Sequence, residues 1–83
     1  MKLAKYVKFR EEKFGGVLFE TRSEKVYTLN PTAVAVIREI QAGAAEAEIG
    51  DRLKARFEGD ESAIEREVYT LLTELRVKGL VED

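Results

Sequence analysis

The sequence predicts an α+β domain in which a three-stranded antiparallel N-terminal sheet is followed by three helices. Two patterns in the sequence predict it. Up to Leu29, short apolar or alternating segments are separated by turn residues, as in small antiparallel sheets. From Asn30 onwards, apolar residues recur every three or four positions, which is the spacing of one helix face. Three short helices after a small sheet suggest a winged-helix-like arrangement.

The three predicted strands differ in how they alternate. Residues 4–12 place Val7 and Phe9 on one face and polar side chains on the other, so this strand is expected to be half-buried. Residues 16–21 are apolar on both faces. The third strand covers Lys25–Leu29 and runs directly into the first helix.

The first two helices are predicted mainly from their ends and apolar spacing. Asn30 is a good N-cap, and Pro31 suits the first helical position, where its missing N–H would have no partner. Gly43 is a plausible end of this helix. The second helix is expected at about 45–57, with apolar residues four positions apart.

The third helix has the clearest pattern. Ser62 and Glu65 have the spacing of a capping box at its beginning. Gly79 is expected to end it, with Leu80 folding back onto the last turn. Between these ends lies one broad apolar stripe, formed by Ile64, Val68, Leu71, Leu72 and Leu75.

Size and composition limit the functions that can be considered. With 83 residues, we expect one domain over residues 1–83. The chain has neither cysteine nor histidine, so thiol nucleophiles, cysteine-based zinc sites and the commonest general base are missing. No apolar run reaches the roughly 20 residues of a membrane span, and no secretory signal follows Met1. We therefore expect a cytoplasmic protein without a metal or cofactor.

No motif predicts an enzyme, and DNA binding is the weaker of two binding hypotheses. Gly15 and Gly16 lack the residues that complete a nucleotide-binding fingerprint, and the acidic residues fit solvated surfaces. A winged-helix transcription regulator is the alternative to a peptide-binding protein. Its third helix, however, is acidic, which disfavours binding beside phosphates, where affinity depends on positive charge. The helix carries Glu61, Glu65, Glu67 and Glu74 against Arg66, Arg76 and Lys78.

Peptide binding at a sheet edge is the leading hypothesis from the residues. An uncovered edge shows unpaired N–H and C=O groups, to which an extended peptide can add as a further strand. The third helix could form the other wall of the groove, with Ile64, Val68 or Leu72 partly open, whereas Leu71 and Leu75 are expected in the core. The same edge could pair with a second copy, so a homodimer stays open.

Three segments give a resemblance to a known family. They are "REEKFGG" at 10–16, "LNPTA" at 29–33 and "LRVKGLV" at 75–81. With them, the chain from about Tyr6 to Glu82 resembles the PqqD family, small peptide chaperones also known as recognition elements of ribosomally synthesised and post-translationally modified peptides (RiPP recognition elements).

The resemblance implies a winged-helix-like fold and a non-catalytic function. Its members bind the leader of a precursor peptide and present the core to a modifying enzyme, often a radical S-adenosylmethionine (radical SAM) enzyme. The leader adds beside the third strand, in a groove shared with the third helix. Carried onto this chain, the resemblance assigns peptide contacts to Lys25, Val26, Tyr27, Thr28, Leu29, Ile64, Val68 and Leu72, with Tyr69 and Arg76 at the rim.

Overall fold

Three helices and two antiparallel sheets make up the chain in the computed structural model, which describes residues 1–83. The α+β class expected from the sequence is therefore confirmed, while the winged-helix likeness stays a prediction. The elements are β1 (Lys2–Leu3), β2 (Val7–Glu12), β3 (Gly15–Glu20), β4 (Lys25–Leu29), α1 (Pro31–Gln41), α2 (Glu46–Arg56), α3 (Glu61–Val77) and β5 (Val81–Glu82).

The larger sheet contains the three predicted strands in the order β2-β3-β4. The smaller sheet was not predicted: β1 pairs with β5, with Leu3 opposite Val81. Each of these strands has two residues, which is too short for an alternating pattern to be read.

The junction between β4 and α1 forms as the sequence predicts. The side chain of Asn30 accepts a hydrogen bond from the Ala33 N–H at 2.8 Å, and Pro31 occupies the first turn. Because the cap follows β4 immediately, strand and helix are joined without a loop. The inner face of α1 is buried, including Val36, Ile37 and Ile40.

The prediction for α3 is wrong at its N-terminus and right at its C-terminus. Its N-cap is Asp60, whose carboxylate accepts from the Ser62 N–H at 2.9 Å, so the expected capping box beginning at Ser62 is wrong. The predicted end is confirmed. Gly79 has φ of 71°, and the Leu80 N–H donates to the Leu75 carbonyl at 2.9 Å, as in a Schellman motif.

One hydrophobic cluster of 16 buried residues joins the larger sheet to all three helices. Its fully enclosed members come from several elements, among them Leu18 of β3, Ile37 of α1, Leu53 of α2 and Leu80 after α3. In the strand order β2-β3-β4, β2 and β4 are the two edge strands, one on either side of β3.

Candidate functional site

The pairing of β2 with β3 fixes the direction of every main-chain group in the larger sheet. These strands are joined by a two-residue turn, and the Thr21 N–H donates to the Tyr6 carbonyl at 2.8 Å, in register with the ladder. Every second residue of β3 therefore forms its main-chain hydrogen bonds with β2, namely Gly15, Val17 and Phe19. Since successive strand residues direct their main-chain groups to opposite sides, the intervening residues of β3 bond β4.

The outer edge of β4 consequently carries main-chain groups without partners. Leu18 lies opposite Tyr27 and Gly16 opposite Leu29, so Tyr27 and Leu29 direct their N–H and C=O groups toward β3. Val26 and Thr28 direct theirs away from the sheet. These two residues offer two donors and two acceptors to an added strand.

The chain's own last segment does not cover this edge. Val81–Glu82 pairs with Lys2–Leu3 in the smaller sheet, and the Ala4 N–H donates to the Leu80 carbonyl at 2.9 Å. β4 has β3 as its only strand neighbour. The edge that the sequence predicts to be open is therefore uncovered.

A groove separates this edge from α3. It consists of two recesses of about 310 and 560 Å³ that share Thr28, Leu29, Leu71 and Glu74. We call it the β4–α3 groove. Its walls are Val26, Tyr27, Thr28 and Leu29 on the strand, and Arg66, Glu67, Thr70, Leu71, Glu74, Leu75 and Lys78 on the helix.

The groove has an apolar floor and a charged rim. Tyr27 and Leu71 are half-buried, while Leu29 and Leu75 are buried beneath them. The Lys78 ammonium lies 5.0 Å from the centre of the Tyr27 ring. An apolar side chain could be buried on this floor, whereas a polar one would meet the charged residues above it.

The five predicted strand residues alternate between two environments. Tyr27 and Leu29 face the helices and the groove floor, whereas Lys25 and Thr28 are exposed. Val26 is also exposed, at 53%, and lies on the outer face of the sheet. All except Lys25 line the groove.

The predicted apolar residues of α3 lie elsewhere. Val68 and Leu72 are only 4% exposed and belong to the core, so the expectation that they stay partly open does not hold. Ile64 is half-buried against the same core. The reason is geometric: these residues occupy the centre of the apolar stripe, and the centre packs against the other elements.

The two predicted rim residues lie on the side of α3 that faces α2. Tyr69 is 72% exposed beside Ala47 and Gly50 of α2. Arg76 donates to Glu46 of α2, and this hydrogen bond holds the pKa of the Glu46 carboxyl below its usual value. None of the five predicted helix residues lines the β4–α3 groove, and their peptide contacts remain predictions.

The helix residues that do face β4 were missed by the sequence analysis. Glu67, Leu71, Glu74 and Lys78 follow each other at intervals of four, three and four, which places them on one side of α3. Their spacing was available in the sequence. What could not be read there is which border of the apolar stripe lies beside β4.

Other kinds of site find little support among these residues. No group of three or more acidic side chains is placed to hold a metal ion. None of the three helices has the length and hydropathy needed to cross a membrane.

Two solved structures share the fold. One is described as "Lasso peptide synthetase B1 complexed with the leader peptide"; it is 24% identical, with 99% of this chain and 96% of that chain covered and a TM-score of 0.83. The other, "TbiB1 in Complex with the TbiA(beta) Leader Peptide", is 23% identical, with 99% and 95% covered and a TM-score of 0.86. No curated protein sequence matches this chain significantly.

The family assignment comes from a match over most of the sequence. Residues 15–81 match the family model described as Coenzyme PQQ synthesis protein D (PqqD). The matched region includes β3, β4, the three helices and the whole β4–α3 groove. The resemblance seen in the sequence is thereby confirmed, and the chain belongs to the PqqD family.

Proposed function

We propose that this chain is a non-catalytic chaperone that binds the leader of a ribosomally synthesised precursor peptide as an added strand beside β4. The observation that carries the proposal is the open edge of β4, where Val26 and Thr28 present unpaired main-chain groups next to an apolar groove. The two solved structures of the same fold are described as complexes with leader peptides, which supports the same ligand class.

Energetics favour a ligand that uses both the edge and the groove. Each main-chain hydrogen bond contributes a net 0.5–1.5 kcal/mol or so, and Val26 and Thr28 provide at most four. Ordering a flexible peptide offsets much of that gain. Apolar side chains buried against Leu71 and Tyr27 would supply the remainder, at about 25 cal/mol per Å² of apolar surface removed from water.

The bound leader would hold the rest of the precursor close to a modifying enzyme. A radical SAM enzyme is the partner that the resemblance suggests, and the cytoplasm is the proposed compartment because ribosomes make the precursor there. A homodimer formed through β4 would compete with the leader for the same edge. No observation favours the alternative of DNA binding.

Titration with a leader peptide tests the proposal directly. The ¹⁵N-labelled chain would be titrated with the leader of a precursor encoded beside its gene and followed by NMR. We expect saturable shifts at Val26, Thr28, Leu71 and Lys78. Shifts confined to α2, or scattered over the surface without saturation, would contradict binding in the groove.

Proline substitution tests the role of the edge itself. Val26→Pro removes one free N–H, so leader affinity should fall about three- to tenfold, the equivalent of one hydrogen bond. Val26→Ala keeps the donor and serves as the matched control. Glu11→Pro makes the equivalent change on the far edge of β2 and should leave the affinity unchanged. Equal affinities for Val26→Pro and Val26→Ala would exclude a hydrogen bond from Val26 to the leader.

A further inference from the structure

The charged rim of the β4–α3 groove points to a preferred order of charges in the bound peptide. We propose that the groove selects strands with a basic residue first, a large apolar residue two positions later and an acidic residue two positions after that. The inference rests on the proposed function, because it concerns the peptide that this edge would bind.

The first observation is that the charged side chains of the groove form no ion pairs within the chain, although the Lys78 ammonium lies over the Tyr27 ring. Arg66, Glu67, Glu74 and Lys78 are all exposed, and none has an ion-pair partner within 4 Å. The opposite side of α3 differs, because Arg76 pairs there with Glu46. The groove charges are thus free to pair with a ligand.

The second observation is that the balance of charge differs between the two ends of the groove. Lys78 lies beside Val26 and Tyr27, in the recess at the beginning of β4. Glu67 and Arg66 lie with Leu29 in the recess at the other end, and Glu74 borders both recesses, so that end has two carboxylates and one guanidinium. Lys25, at the beginning of β4, is exposed and adds positive charge to the Lys78 end.

Strand direction converts this difference into a sequence preference. Every pairing in the sheet is antiparallel, and antiparallel addition continues the pattern with the better hydrogen-bond geometry. A peptide so added meets Leu29 first, then Tyr27, then Lys25. Because side chains directly opposite share a face, its residues at those three positions point toward α3.

The groove offers each of these three positions a different partner. The position opposite Leu29 lies in the recess lined by Arg66, Glu67 and Glu74, where two carboxylates outnumber one guanidinium, which favours a basic residue. The position opposite Tyr27 faces the recess that contains Leu71 and Leu75, which favours a large apolar residue. The next position lies opposite Lys25, at the end of the groove where Lys78 borders Val26 and Tyr27, which favours an acidic residue. The intervening residues, opposite Thr28 and Val26, point to the outer face.

Two synthetic peptides of identical composition test the order. The first is GSKTLVESG, in which lysine precedes leucine and glutamate follows; the second is GSETLVKSG, with the two charges exchanged. Dissociation constants come from ¹⁵N NMR shifts at low salt. We expect the first to bind about fivefold more tightly, since two ion pairs at exposed sites are replaced by two repulsive contacts. In 0.5 M NaCl this ratio should fall toward one.

Charge reversal in the protein provides the decisive control. The triple variant E67K/E74K/K78E should prefer GSETLVKSG, whereas Glu58→Lys, which changes net charge by the same amount outside the groove, should keep the original preference. Equal binding, the opposite preference in the wild-type chain, or no shift with either peptide would overturn the inference. None of these results would contradict the proposed function. That proposal fails only if the leader of the precursor does not bind at β4.

Discussion

At the scale of single residues, Glu20 holds the turn that leads into β4. Its carboxylate accepts from the hydroxyl of Ser23 and from the N–H groups of Ser23 and Arg22, at 2.9 and 3.1 Å. The Ser23 hydroxyl and the Arg22 N–H lower the pKa of Glu20 to about 2, because they stabilise the ionised form. Glu24 completes the turn with φ of 61°.

The lowered pKa of Glu20 predicts how stability changes with pH. Above the ordinary value of 4.5 the carboxylate is ionised in both states, and its turn contacts stabilise the folded chain. As the pH falls from 4.5 toward 2, the unfolded chain takes up the proton first and this stabilisation is lost.

Glu20→Gln should therefore be less stable than the wild type at pH 6 and should approach it near pH 2. Urea unfolding across this range measures the difference, with Glu24→Gln as the control in the same turn. If the free energies of unfolding of Glu20→Gln and the wild type differed by the same amount at every pH, the lowered pKa of Glu20 would be contradicted.

Residue-scale prediction from the sequence succeeded at two local motifs and failed at a third, the N-cap of α3, where Asp60 takes the place expected for Ser62. The Asn30 cap and the Gly79 end depend on neighbouring residues alone, so both could be read directly. The contacts of α3 with β4 depend on how the helix is rotated. An apolar stripe identifies the buried face, but Leu72 at its centre and Leu71 at its border look alike in sequence.

At the scale of secondary-structure elements, α2 has an incomplete N-terminal cap. Ala45 has the extended backbone of an N-cap residue, and its N–H donates to the Glu48 carboxylate at 3.0 Å. This is one half of a capping box. The other half is missing because alanine has no side-chain acceptor for the N–H groups of the first turn.

Ala45→Ser should supply the missing half of this cap. A serine at an N-cap stabilises a protein by about 1 kcal/mol relative to alanine, which urea unfolding can measure. Ala47→Ser is the control: it places the same residue inside the helix, where no gain is expected. Leader affinity should stay unchanged in both variants, because α2 does not line the β4–α3 groove. A loss of affinity in Ala45→Ser would indicate that α2 contributes to the site.

Element boundaries could be predicted to within a residue or two where a cap or an alternating pattern marks them, as at Lys25–Leu29. The pairing of β1 with β5 could not, because it joins residues about 80 positions apart. Such a pairing depends on the tertiary structure that brings Leu3 to Val81. It nonetheless matters for function, since it keeps Val81–Glu82 away from β4.

At the scale of the whole molecule, the sheet has two edges, and they differ in what lies beside them. Successive strand residues direct their N–H and C=O groups to opposite sides, so Phe9 and Glu11 direct theirs outward from β2. The recess beside β2 is smaller, about 240 Å³; three of its six lining residues are charged, and one, Val34, is hydrophobic. Hydrogen-bonding capacity therefore exists at both edges, and only the groove beside β4 adds an apolar floor.

Amide hydrogen exchange should distinguish the two edges. In the free chain, Tyr27 and Leu29 donate to β3 and should exchange slowly, whereas Val26 and Thr28 should exchange rapidly. A bound leader should slow Val26 and Thr28 specifically, because their N–H groups then donate to the added strand. Phe9 and Glu11 on the β2 edge provide an internal control and should still exchange rapidly. Slow exchange of Val26 and Thr28 without leader would mean that the edge is already occupied, as in a homodimer, and dilution would then restore rapid exchange.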